Sequence, residues 1–193
     1  MLFLGEWCKL YERRDVWSKY NYEVVPYHWN DRDKLYKDYN YLEKLYENLI
    51  KDLIHALNSF HRVNKSDRYW TILVGFWLGW FLQLLYDRWF MLKAVTNRYE
   101  NLKCIIYKKS YPIETPKTIS QFMEFAKHDN WNEFIYGTLI ENYFKDKISV
   151  EKKINYYPSE KKFFNKINFN RKLNIYINDL LDISLEDKYF FKH

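Results

Sequence analysis

The sequence predicts an α/β fold dominated by helices and containing a small parallel sheet, on three observations. Two short apolar runs, "LFLGEW" and "YEVVPYHW", flank a segment with room for one short helix. From about Asp31 the apolar residues change to a helical period. Further on, "RYWTILVGFWLGWFLQLLYDRW" has eighteen consecutive residues, Tyr69 to Tyr86, without a charge.

The first apolar run ends at Gly5 and Glu6, and the second places Val24 and Val25 before Pro26, which stops a strand because it has no amide hydrogen to donate. Between them "CKLYERRDVWSKYN" suits a short helix. The order strand, helix, strand predicts a parallel βαβ opening, since parallel strands need a crossover. Leu35, Tyr39, Leu42, Tyr46, Leu49, Leu53 and Leu57 then recur at steps of three or four and predict one long amphipathic helix, with these seven on its buried face. Asn30 or Asp31 is placed to cap it, and fraying is expected near Ser59. "HRVNK" makes a polar connection to Ser66, a second cap, which opens the uncharged helix. "KCIIYKK" predicts a third strand around Cys104 to Tyr107, and "SYPIETPKT" a loop, with Pro112 and Pro116 as its breakers. Thr118 or Ser120 can cap a short helix through Ala126. Asp129 or Asn130 can start another in "DNWNEFIYGTLIENYF". Residues 146–193 read as a basic, aromatic tail following a domain of residues 1–145.

An eighteen-residue uncharged stretch approaches the length that crosses a bilayer, and Gly75 and Gly79 have the GxxxG spacing that lets membrane helices approach closely. Three features favour a core helix instead. Trp77 and Trp80 fall in mid-segment rather than at interfaces, Gln83 is internal, and basic residues balance on the two flanks, so no orientation is specified. A helix apolar all round is expected to be surrounded by protein.

Composition narrows the function classes. Aromatic residues make up 21% and charged residues 29% of the 193, which excludes a disordered or low-complexity chain. The net charge of +6 permits contact with phosphate, nucleotide or an anionic surface without selecting among them. Cys8 and Cys104 are too few for a disulfide framework and fit a reducing, cytoplasmic setting. No glycine-rich phosphate loop, zincin motif, nucleophile elbow or paired-cysteine zinc spacing occurs, so no catalytic residue and no metal site are assigned. His55 and His61 are six apart, which turns them away from a common helical face. Two clusters remain. Tyr27, His28, Trp29, Asp31 and Arg32 crowd the junction of a strand end and a helix start, where ligands bind in open α/β sheets; a capped helix alone would explain the same residues. Asp67 and Arg68 on one side and Asp87 and Arg88 on the other bracket the uncharged helix, as ion pairs or as ligand contacts.

"FLGEWC", then "EVVPYHWNDRDKLYKDYNYLEKLYE", then "ALNSFHRVNKSDRYWTILVGFWLGWFLQLLYDRWFMLK" resemble, in order and spacing, the N-terminal region of a family of bacterial transferases encoded with O-antigen and other surface-polysaccharide genes. The resemblance is strong over residues 2–95 and looser over 96–145. It implies part of the N-terminal half of a two-domain, Rossmann-like glycosyltransferase. In that arrangement the N-terminal half holds a glycan or lipid-linked glycan acceptor, and the C-terminal half takes a sugar nucleotide as donor substrate; no other cofactor is implied. The family pattern begins earlier and runs much further, so the resemblance implies a truncated chain, inactive without its C-terminal half. It adds Glu6 to Tyr27, His28, Asp31 and Arg32 as cleft-facing residues, while Arg68, Gly75, Gly79, Asp87 and Arg88 stand, on the reading of the helix itself, as structural or ligand contacts. Peripheral contact with the inner face of the cytoplasmic membrane is expected, and nucleic acid is not expected as a partner. The alternative from another class is a non-enzymatic helical module that docks on a membrane or a partner.

Overall fold

The structure, a computed structural model, describes residues 1–109 and 116–155. Its strands are short and its helices long. β1 (Leu2–Phe3) pairs in parallel with β2 (Glu23–Val24), Leu2 opposite Glu23 and Phe3 opposite Val24. The amides of Glu23 and Val25 donate to the carbonyls of Met1 and Phe3, at 3.0 and 2.9 Å. The crossover contains one turn of helix, α1 (Arg14–Trp17), so the βαβ opening is present in compressed form.

α2 (Arg32–His61) starts where the sequence places it. The Asp31 carboxylate accepts from the amides of Asp33 and Lys34, and Arg62 ends the helix in the left-handed conformation at φ 55°. Its buried face is rotated from the expected one. Asp38, Leu42, Leu49, Ile50 and Ile54 are buried, whereas Tyr39 is 56% exposed. Hydropathy ranks Tyr39 as inward and Asp38 as outward. The ranking reverses because the Asp38 carboxylate has donors to offset its desolvation: Trp29 Nε1 at 2.9 Å and Lys34 Nζ.

Ser66 caps the next helix by accepting from the Tyr69 amide, as expected. α3 (Asp67–Trp70) passes through a π turn at Thr71–Gly75 into α4 (Phe76–Arg98), making one continuous helix from Asp67 to Arg98. That helix is not enclosed all round. Leu78, Phe81, Leu82, Leu85, Met91, Leu92 and Val95 are buried, but Ile72, Leu73 and Phe76 are exposed by 70%, 57% and 64%. Among the described residues, the first half of the helix meets α2 on one side. Tyr46 fills the space that a side chain at Gly75 would occupy and lies in ordinary contact range of Gly79, and the opposite side stays uncovered.

β3 (Leu102–Lys109) and β4 (Ile148–Asn155) form a second parallel pair, with α5 (Ile119–Phe125) and α6 (Asp129–Leu139) in the crossover and a π turn at Ile140–Phe144. Thr118 caps α5 through the Gln121 amide. α6 begins after His128 without a side-chain cap, so neither Asp129 nor Asn130 serves as one. Helices dominate this α/β fold, and among the described residues its parallel strands form two separate pairs rather than a single sheet. The stretch read as a basic tail opens on β4. Met1–Asn155 make one unit, and the second, Tyr156–His193, lies outside the described residues, as does most of the "SYPIETPKT" loop. In the first unit, Phe122, Leu139, Met91 and Leu92 are the most enclosed side chains among the described residues, each at most 2% exposed.

Candidate functional site

Both strands of the first pair point their carboxyl ends the same way, and both release the chain into residues able to meet a ligand. After β1 the chain gives Gly5, Glu6, Trp7 and Cys8; after β2 it gives Tyr27, His28 and Trp29. The two segments touch, the rings of Trp7 and Tyr27 meeting edge to face at 5.6 Å. Trp7 folds back over Gly5 so closely that a Cβ there would lie 2.3 Å from its ring, which only glycine permits. The indole is nonetheless 49% exposed. Glu6, beside it, is exposed and pairs with Lys9 at 2.5 Å.

Beneath this edge α4 supplies Asp87, at 4% exposure the most deeply buried charged residue among those described. His28 Nε2 lies 3.1 Å from Asp87 Oδ1, Arg88 Nη1 pairs with Oδ2, and the Tyr27 hydroxyl also bonds the carboxylate. Burial pushes the Asp87 carboxyl up, but the bond from His28, the Arg88 charge and the bond from Tyr27 outweigh it and hold the group below its ordinary value. Burial, and then the charge of Asp87, raise the Tyr27 hydroxyl. Nδ1 of His28 has no hydrogen-bond partner among the described residues and stands 3.9 Å from Asp38 Oδ2. The imidazole is held between Trp29 at 4.6 Å and Phe90, stacked at 5.7 Å.

Arg88 is fixed from the other side by α6. Its Nε and Nη2 donate to Asn132 Oδ1 at 3.1 and 3.0 Å, and Asn132 Nδ2 in turn donates to the carbonyls of Ala126 and His128 at 2.9 and 3.1 Å. The guanidinium lies 6.0 Å from the centre of the Tyr136 ring, whose buried hydroxyl has no hydrogen-bond partner among the described residues and is raised mainly by burial. Cys8 borders the same region. Burial raises its thiol above the ordinary value, Asp129 adds to this, and the neighbouring backbone amides and Arg88 oppose it.

The family profile of the LIC12162 family transferases matches residues 1–193. This chain belongs to that transferase family. No curated relative and no solved structure matches it. Among the described residues of this LIC12162 family transferase, chemistry-bearing side chains concentrate in the strand-end cluster. Of the residues singled out in the sequence, Tyr27, His28, Asp87 and Arg88 come together here, and Glu6 stands at the exposed rim. Asp31 instead caps α2, and Arg32 is exposed in its first turn. Arg68, Gly75 and Gly79 lie towards the far end of the helix, the glycines against Tyr46. Sequence reasoning missed Trp7 as an exposed platform, Asp38 and Lys34 on α2, and Asn132 and Tyr136 on α6. Lys34 and Asp38 are spaced i, i+4, which signals a pair on one helical face. Asn132 and Tyr136 carry no comparable mark. Among the described residues, no group of three or more His, Cys, Asp or Glu is arranged to hold a metal ion.

Proposed function

We propose that this transferase is a glycosyltransferase of bacterial surface-polysaccharide (O-antigen) assembly. On this reading the chain supplies the acceptor-binding half of a two-halved, Rossmann-like cytoplasmic enzyme. The observation that carries the reading is the carboxyl edge of the β1–β2 pair, where an exposed Trp7 and Glu6 lie beside a partly buried His28–Asp87–Arg88 network. An exposed indole offers an apolar face to the C–H side of a sugar ring, and a carboxylate beside it can accept from sugar hydroxyls. Asp87 orients His28 and neutralises Arg88 within the fold, so the rim residues are held by a rigid base. The four glycines, Gly5, Gly75, Gly79 and Gly137, do not form a phosphate-cradling spacing. Following the resemblance, the donor sugar nucleotide is assigned to a C-terminal half, and the 193-residue chain alone is proposed to be inactive.

Saturation-transfer NMR with isolated O-antigen oligosaccharides tests this. Binding is expected for the unmodified chain and is expected to fall at least about tenfold in Trp7→Ala, the low end of what a lost anchoring aromatic costs at an interface. Oligosaccharide binding that is absent, or that survives Trp7→Ala unchanged, refutes the acceptor assignment. Turnover of a nucleotide sugar by the chain alone refutes the division of labour.

A further inference from the structure

The opening of helix Asp67–Arg98 carries an apolar stripe that nothing among the described residues covers. Tyr69, Ile72, Leu73, Phe76 and Trp80 follow one another at steps of one, three or four, and are exposed by 44%, 70%, 57%, 64% and 43%. Phe76 and Trp80 stand together on this face, their ring centroids 6.2 Å apart. Proteins seldom expose a contiguous patch of this kind unless it meets a partner or a membrane. The surrounding charge indicates which. From Phe60 to Trp80 the sequence holds Arg62, Lys65 and Arg68 against one acid, Asp67. All three basic residues are exposed, and Lys65 Nζ reaches over the Tyr69 ring at 5.5 Å. Apolar and aromatic side chains on one face, collared by lysine and arginine, are the pattern of a helix lying in the interface of an anionic bilayer.

The same helix is long and apolar enough to cross a membrane by length and composition. The fold argues against a span. Its second half buries Leu85, Met91, Leu92 and Val95 in protein and carries the Asp87–Arg88 network, so insertion would dismantle the core and strand a bonded carboxylate in hydrocarbon.

We infer that the face formed by Tyr69, Ile72, Leu73, Phe76 and Trp80, with Arg62, Lys65 and Arg68 as its collar, docks the protein peripherally on an anionic lipid surface. Flotation of the full chain with phosphatidylcholine vesicles containing about 30% phosphatidylglycerol tests it, since an anionic leaflet attracts each nearby basic residue by about 1 kcal/mol. Co-flotation is expected with these vesicles and not with phosphatidylcholine alone. Replacing Arg62, Lys65 and Arg68 by Gln is expected to weaken binding about fivefold per residue, that same attraction expressed as a ratio. Phe76→Glu is expected to abolish co-flotation while leaving the circular dichroism spectrum and melting temperature unchanged, because the side chain is already exposed. Brominated lipid is expected to quench tryptophan fluorescence, and less so in Trp80→Phe. Absence of co-flotation overturns the inference, as does binding that Phe76→Glu leaves intact. Concentration-dependent dimerisation abolished by Phe76→Glu would identify a second copy as the occupant, and retention in membranes through alkaline carbonate would indicate a span. Either result also overturns it.

Discussion

Removing the Asp87 side chain is the perturbation with the largest expected consequence. In Asp87→Ala, His28 Nε2 loses its acceptor at 3.1 Å, Arg88 keeps only the single oxygen of Asn132, and the Tyr27 hydroxyl loses its bond. Breaking a buried, bonded ion pair from one side costs about 3–5 kcal/mol. That is a large part of the roughly 5–15 kcal/mol that holds a typical domain together. Asp87→Asn keeps the shape and one acceptor oxygen, so its cost should be smaller, about 1.5–3 kcal/mol for the lost charge-assisted bonding. The two variants should also differ from the parent in their pH dependence. The ordinary value of the carboxyl is 3.8 and its folded value is lower, so folding is favoured by the ionised form. The stabilisation is therefore fully present above about 3.8 and is lost as the pH falls through the lower, folded value. Urea denaturation followed by tryptophan fluorescence, at neutral pH and through the acid range, measures both effects. The gap between parent and Asp87→Asn should close as the acid limb is reached. A cost for Asp87→Ala within about 0.5 kcal/mol of zero, the range of an ordinary surface change, would refute the reasoning. So would a gap between parent and Asp87→Asn that stayed constant into acid.

The two helix glycines should respond oppositely to alanine. A Cβ at Gly79 would meet Tyr46 at 3.8 Å, an ordinary contact, so Gly79→Ala should raise stability by up to about 1 kcal/mol through helix propensity alone. A Cβ at Gly75 would lie 2.6 Å from Tyr46 Oη, so Gly75→Ala should destabilise by about 1–3 kcal/mol, and Tyr46→Phe should restore much of the loss in a thermal-melt double-mutant cycle. Asn58 closes the α2–α3 connection: its Oδ1 accepts from the Lys65 amide and Trp70 Nε1 at 2.9 and 2.8 Å, and its Nδ2 donates to the Lys65 carbonyl at 3.0 Å. Asn58→Ala should therefore cost about 1–3 kcal/mol and speed hydrogen exchange at the Lys65 amide; unchanged exchange there would count against this role. Burial raises both cysteine thiols, so iodoacetamide should alkylate Cys8 and Cys104 more slowly at neutral pH than it alkylates glutathione, and at the ordinary rate once urea unfolds the chain.

Local chemistry is what the sequence expressed most clearly. Asp31, Ser66 and Thr118 cap the helices they were expected to cap, because a short oxygen-bearing side chain ahead of a helical period meets a free amide whatever surrounds it. The parallel pairing of β1 with β2 followed from a connection too long for a hairpin, and the strand at Cys104 to Tyr107 from its β-branched run. Half of the candidate site was legible on the same grounds: Tyr27 and His28 sit at a strand end, and Asp87 and Arg88 are the first charges after a long uncharged run.

Long-range partners were not legible in that way. Asn132 reaches Arg88 across 44 positions of sequence and His28 reaches Asp87 across 59. No local period encodes such a meeting. Burial itself was misread where hydrogen bonds decide it: Asp38 turns inward because Trp29 and Lys34 bond its carboxylate, and Tyr39 turns out. The uncharged helix shows the same division. Its sequence determined that it is a helix and that it carries more apolar surface than one face needs. Only the tertiary structure decided which part is enclosed, because Tyr46, Phe122 and the rest of the core cover one side and leave Ile72, Leu73 and Phe76 in the open.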